Sequence, residues 1–198
     1  MENYKKNLEL LTKNHVYSKE MEHDACGVGL IASTEGKKSR AIVEYGIEAL
    51  KAVWHRGAVD ADGKTGDGAG IHVEIPKDFF IEKIQVTGHD YDNSEICVGM
   101  IFLPRNDYSA QESCKTIVES ELTKNNFSIY GWRQVPVNSK VLGEKALQTM
   151  PEIIQVLFKP NDPNLLDKNL ERKIYETRKR IENKAFDASL NNLSLIHI

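Results

Sequence analysis

A mixed α and β domain is the fold class this sequence predicts, on three observations. Helical and two-residue hydrophobic periodicities alternate along the chain, Gly and Pro punctuate the junctions between them, and no internal repeat or low-complexity stretch interrupts the alternation. One domain is the default at 198 residues, although the length also allows two small cores.

Residues 1–25 are polar and rich in Lys, Glu and Asn, and only Leu8, Leu10 and Leu11 suggest a short helical turn, so the segment reads as a leader rather than core. The character changes at Cys26. Gly27, Val28, Gly29, Leu30, Ile31 and Ala32 form an apolar run that predicts a buried strand, closed by turn-prone residues 33–37. Ile42, Val43, Ile47, Leu50 and Trp54 recur at helical spacing opposite Arg40, Glu44, Glu48 and Lys51, with Ser39 placed to cap a helix of roughly four turns. The next stretch, HRGAVDADGKTGDGAG, has almost no bulky side chain and reads as a loop.

Ile71, Val73 and Ile75 alternate as in a strand that Pro76 stops, and residues 78–84 form a short helix. A strand over 95–103 and an amphipathic helix over 109–124 follow, the helix turning Ile117, Val118 and Leu122 inward. Residues 127–137 predict a strand, 142–149 a short helix and 153–158 a strand. Residues 164–184 predict a long helix with Leu166, Leu170, Ile174 and Ile181 on one side. Its basic run Arg178, Lys179, Arg180 reads as a solvated face.

Composition narrows the function classes. Forty per cent hydrophobic and 28 per cent charged residues are ordinary for a soluble domain, and a net charge of −3 offers no field for nucleic acid. No segment reaches the apolar length of a signal-peptide core or a membrane span, which predicts a cytoplasmic protein. Cys26, Cys97 and Cys114 are odd in number and widely spaced, as expected of free thiols in a reducing compartment. Cys97 and Cys114 fall on a predicted strand and helix and read as core packing, and Trp54 and Trp132 read as packing residues too.

Four nucleotide or metal readings fail on context. Gly27, Gly29 and Ala32 spell a dinucleotide fingerprint, but a polar segment precedes them and a strand, not a helix, follows. Gly57, Gly63, Lys64 and Thr65 resemble a phosphate loop with one residue too many between the glycines and with Asp60 and Asp62 repelling phosphate. Asp60 and Asp62 open like a calcium loop, yet Lys64, Thr65 and Ile71 stand where ligands and the turn glycine belong. His23, Asp24 and Cys26 lack a second cluster to complete a zinc site.

The segment EHDACGVG over residues 22–29 resembles the processing site of glutamate synthase large chains. The resemblance extends through His55, Arg56 and Gly57, the loop DADGKTGDGAG, Ile75 and Pro76, residues 78–80, and GWRQVPV over 131–137. It implies an α/β/β/α sandwich of the amino-terminal nucleophile (Ntn) hydrolase type, here incomplete at the C-terminus. It further implies a leader over 1–25 removed to expose Cys26, a partial class II glutamine amidotransferase domain over 26–190, and an atypical truncated tail over 191–198. That tail, NNLSLIHI, is an apolar end with no evident partner.

Such a domain hydrolyses glutamine. Cysteine is a competent nucleophile because some thiolate exists at neutral pH. No His and acid pair is readable nearby, but a freed Cys26 would carry an α-amine of pKa about 7.7–8.0, roughly a tenth of it neutral base at pH 7. Cleavage thus makes one residue nucleophile and base together. Arg56, by its match to the family arginine, is expected to organise the substrate pocket with Gly57, although a structural ion pair is the alternative reading for Arg56; His55 is positional. The oxyanion donors that the family draws from an Asn-Gly pair are absent, so the fragment is expected to show little activity.

For the full-length family the resemblance implies FMN and a 3Fe-4S cluster, transfer of ammonia to 2-oxoglutarate in a synthase domain, and electrons from a small NAD(P)H-oxidising subunit or ferredoxin. No cofactor is expected within these residues. Another class II amidotransferase, or a non-catalytic glutamine-sensing or interaction module, is the alternative.

Overall fold

A computed structural model describes residues 2–14, 27–54, 57–190 and 194–196. They fall into two compact units. The first comprises Met1–Ala58 and Asp67–Ile71, the second Val59–Gly66 and His72–Ile198.

In the first unit, α1 (Glu2–Asn14) is a full 13-residue helix where the sequence suggested a single turn. Its Leu, Glu and Lys residues are all good helix formers, and Lys13 sits favourably at the carbonyl end. α2 (Arg40–Ala52) follows its predicted stripe. Ile42, Val43, Ile47 and Leu50 are half-buried, while Arg40, Glu44, Glu48 and Lys51 are exposed. Ser39 occupies the N-cap position with extended backbone but makes no side-chain cap bond. Trp54, expected to pack, is 79% exposed, because α2 ends at Ala52 and the following turn carries the indole off the stripe.

Residues 27–32 do not form the predicted buried strand. They join no ladder, and Val28 and Leu30 are 93% and 89% exposed. Residues 71–76 likewise join no ladder. A strand exists only where a neighbour takes up its backbone N–H and C=O groups, and apolar alternation does not say which neighbour. Ile71 instead packs beside Gly46 of α2, where a Cβ would lie 3.1 Å from its Cδ1.

The second unit is built on a four-stranded antiparallel sheet, ordered β2-β3-β1-β4, from β1 (Cys97–Leu103), β2 (Phe127–Gln134), β3 (Glu152–Pro160) and β4 (Ser194–Ile196). β1 and β3 pair along their length, from Cys97 opposite Phe158 to Leu103 opposite Glu152. Against one face lie α4 (Tyr108–Lys124) and α6 (Asp167–Asp187), and the main core fills the space with Ile101, Leu103, Val118, Phe127, Val156 and Ile174. Leu166, expected on the inner stripe of α6, precedes the helix and is 47% exposed. Lys184 of α6 pairs with the buried Glu121 of α4, and its ammonium holds that carboxyl below the usual range. Arg178 and Lys179 both pair with Glu182 on the outer face.

The opposite sheet face receives α3 (Lys77–Val86). Phe80 and Ile84 meet Val98, Tyr130 and Leu157 in a smaller core. Tyr130 donates from its hydroxyl to Asp92 at 3.0 Å, and Lys159 pairs with the other oxygen of that carboxylate. β2 carries a bulge between Ile129 and Gly131. Phe127 and Ile129 face the main core, ordinary alternation gives Tyr130 to the smaller one, and the bulge returns Trp132 to the first. β4 pairs with β1, Ile101 opposite Leu195, and so supplies the partner that the sequence did not suggest for the apolar end.

Candidate active site

Cys26, His55 and Arg56 lie outside the described residues; Gly57 does not. After α2 the chain turns so that the Gly57 N–H donates to the Trp54 carbonyl at 3.0 Å. A side chain at 57 would meet that carbonyl oxygen at 3.3 Å and the Asp67 carboxylate at 3.9 Å, which favours glycine there. One residue on, Ala58 N–H donates to Asp67 Oδ2 at 2.8 Å. The neck of the Gly and Asp loop is therefore closed by a carboxylate nine residues away.

In the second unit, Val59 and Gly66 form an antiparallel bridge, Asp60 N–H donates to the Thr65 carbonyl at 2.7 Å, and Gly63 N–H donates to Asp60 O at 2.9 Å with a φ of 68°. The loop is thus a short hairpin. Asp62 organises its tip. Its Oδ1 accepts from the N–H groups of Lys64 (2.9 Å) and Thr65 (2.7 Å), and its Oδ2 accepts from the Thr65 hydroxyl at 2.5 Å. Gly143 and the start of α5 (Glu144–Thr149) lie against the same carboxylate, so that a Cβ at 143 would overlap Asp62 Oδ2 and lie 2.5 Å from Thr65 N. The Thr65 hydroxyl and then the Lys64 and Thr65 amides hold the Asp62 carboxyl well below the usual range. Lys145 adds an ion pair to Asp60 at 2.5 Å.

Two further family-like segments meet in the same unit. Arg133 of the GWRQ run lies over the ring of Phe79 in α3, 5.2 Å from its centroid, and donates to the buried Gln155 of β3 at 2.6 Å.

The two described cysteines are core residues, as the sequence suggested. Burial, followed by the charges of Glu171 and Glu95, pushes the Cys97 thiol up to about 12, and burial also raises that of Cys114. Neither supplies a thiolate at neutral pH. Among the described residues no cluster of His, Cys, Asp and Glu is arranged to hold a metal ion.

The sequence reading missed the roles of Asp62, Asp67 and Gly143. Asp62 followed by Thr65 is an Asx-turn pattern that could have been recognised. Its distant neighbour Gly143 could not.

Residues 26–196 match the family of glutamine amidotransferases class-II. Over 189 residues the chain is 50% identical to the glutamate synthase [NADPH] large chain of Azospirillum brasilense, covering 96% of this chain and 12% of that protein. It is 40% identical to the ferredoxin-dependent glutamate synthase of Pyropia yezoensis, covering 87% and 11%. With the glutamate synthase [NADH] of Saccharomyces cerevisiae the identity is 35%, covering 93% and 9%. The chain thus spans about a tenth of the length of these relatives. With its family match opening at Cys26 and the three relatives above glutamate synthases, the chain belongs to the class II glutamine amidotransferases, in the form that glutamate synthase large chains carry.

Proposed function

We propose that Cys26, released from a leader over residues 1–25, is the glutaminase nucleophile of a glutamate synthase. The observation that carries this is the start of the family match at Cys26 itself, inside the EHDACGVG segment. The burial of Cys97 and Cys114 supports it by removing the other thiols from the chemistry.

The Cys26 sulfur attacks the glutamine side-chain carbonyl carbon, and its proton passes through the freed α-amine to the departing nitrogen. The carbon–nitrogen bond breaks, ammonia leaves, and a γ-glutamyl thioester remains. Water then cleaves the thioester, giving glutamate and restoring the thiol. Arg56 and Gly57 line the glutamine pocket.

In the intact enzyme ammonia is added to 2-oxoglutarate in the synthase domain, with FMN and a 3Fe-4S cluster carrying electrons from a small NAD(P)H-oxidising subunit or from ferredoxin. The names of the relatives, which include NADPH-, NADH- and ferredoxin-dependent forms, support this range of donors. The antiparallel sheet with α4 and α6 packed on one face supports one half of an α/β/β/α sandwich, whose second sheet would lie on the face that α3 touches. Free buried thiols support a reducing, cytoplasmic setting.

The test is made on an intact synthase carrying these residues. Mass spectrometry of the purified protein should place Cys26 at its amino terminus. Cys26→Ala should lower glutamine hydrolysis by at least about a thousandfold, while synthesis from added ammonia continues. A protein that keeps Met1 and retains glutaminase activity after Cys26→Ala overturns the reading. A requirement for a nucleotide or sugar-phosphate acceptor would move the chain to another amidotransferase.

A further inference from the structure

We propose that Arg133 and Gln155 form a carboxylate receptor on the α3 face of the sheet, filled in the intact synthase by an Asp or Glu of the layer that covers this face. The inference rests on the reading of the sheet as one half of a sandwich.

Ile101, Leu103, Ile154 and Val156 belong to the main core, so alternation puts Met100 and Phe102 of β1, and Ile153 and Gln155 of β3, on the opposite face. Arg133 follows Trp132 and pairs with Gln155, which pairs with Met100, so the three stand in one row across β2, β3 and β1. α3 covers the end of this face around Val98, Tyr130 and Leu157. Met100, Phe102 and Ile153 are half-buried and belong to neither core. The chain spans about a tenth of the length of its relatives, so the rest of the synthase has ample chain to supply a cover.

The polar end of the row says what that cover must bring. Arg133 Nη1 donates to Gln155 Oε1 at 2.6 Å, and the guanidinium lies over the Phe79 ring. Gln155 is 6% exposed, yet its Nε2 has no acceptor among the described residues, and neither do the other N–H groups of Arg133. On α3, Lys77 pairs with Glu95 and Lys83 with Glu82, and none of the helix's carboxylates pairs with Arg133. A buried donor without an acceptor costs stability, and a guanidinium covered without an anion costs more. A backbone carbonyl would satisfy the amide and leave the cation uncompensated. A carboxylate meets both needs, taking two parallel N–H groups of the planar guanidinium with lone pairs left for the amide.

The test is amide exchange over β2 and β3 in an intact synthase, each variant compared with the parent at the same pH so that intrinsic exchange and shared titrations cancel. Arg133→Met deprives the covering carboxylate of its cation. At pH 8 that carboxylate is charged and unpaired, and exchange should be at least about thirtyfold faster than in the parent. Burial without a cation raises the carboxyl pKa in the variant, whereas the parent pair holds it low. At pH 5 the variant's acid is therefore protonated, and the excess should shrink to about threefold or less. Arg133→Lys keeps the charge and should stay within about fivefold of the parent at both pH values. If Arg133→Met does not fold, Arg133→Gln removes the charge but keeps a donor, and its excess should likewise shrink between pH 8 and pH 5.

A ratio that does not change with pH, or an Arg133→Lys enzyme no better protected than Arg133→Met, overturns the proposal, since the guanidinium then only packs on Phe79 and Gln155. Hydroxyl-radical labelling of the parent synthase, divided by each residue's rate in urea, tests the sandwich separately. Met100 and Phe102 should be as protected as Ile101 and Leu103. Labelling well above theirs would show an open face and overturn the sandwich reading and this inference together, whereas protection with a pH-independent ratio overturns the carboxylate alone.

Discussion

At the residue scale, Cys97 and Cys114 show what burial does to a thiol. Cys97 is 3% exposed in the main core, and the cost of placing a thiolate there raises its pKa from 9.0 to about 12. The sign of the linkage follows from that direction. A group whose folded pKa is raised contributes its full stabilisation below the unfolded value and loses it as pH climbs toward the folded one. Thermal unfolding followed from pH 8 to 11 should therefore show a loss of stability beginning near pH 9, and Cys97→Val should flatten that part of the profile. Neither Cys97 nor Cys114 should react with a thiol reagent at pH 8 in the folded protein, whereas both should react in denaturant. Cys97 had been read as a packing residue from its place in CVGMIFL. Its altered acidity was not legible, because it depends on helices that cover the strand from elsewhere in the chain.

At the element scale, β2 shows how far alternation carries a prediction and where it stops. The run FSIYGWRQ is a strand as expected, although it ends at Gln134, not at 137. A regular two-residue alternation would set Phe127, Ile129 and Gly131 on one face and Tyr130 with Trp132 on the other. The bulge changes this, freeing Trp132 to face the main core and donate to Glu119 at 2.7 Å. Gly131 makes the bulge possible. Its φ is 149°, and a Cβ would stand 2.8 Å from Thr87 Cγ2. Gly131→Ala should destabilise the protein by about 1–3 kcal/mol through overpacking and backbone strain, measured by urea unfolding. Adding Thr87→Ser should recover the part due to the methyl group and leave the part due to φ.

At the scale of the whole molecule, stability is concentrated in the sheet of the second unit. Leu157 is fully buried at the centre of β3, in contact with the smaller core. Leu157→Ala should cost about 2–5 kcal/mol, from lost transfer energy and the cavity left behind. Val28 is 93% exposed in the first unit, and Val28→Ala in the 198-residue chain should change unfolding free energy by less than about 0.5 kcal/mol. The pair of measurements separates a segment that is apolar from one that is buried. Equal losses for the two substitutions would show that residues 27–32 gain a packed neighbour in solution.

The sequence by itself determined the local features: the α2 stripe, the helices and strands between residues 77 and 187, the two packing cysteines, and the motif around Cys26 that carries the family resemblance. These are properties of periodicity and of short ordered motifs, which a chain carries wherever it folds. Tertiary structure decided whom each segment meets. It left residues 27–32 and 71–76 without ladder partners, paired β4 with β1, moved the register of β2, and set Gly143 against Asp62. Hydrogen-bond pairing and close packing join residues far apart in sequence. A carboxylate that reads as the opening of a failed calcium loop therefore becomes, once α5 is beside it, the anchor of the hairpin that follows Arg56.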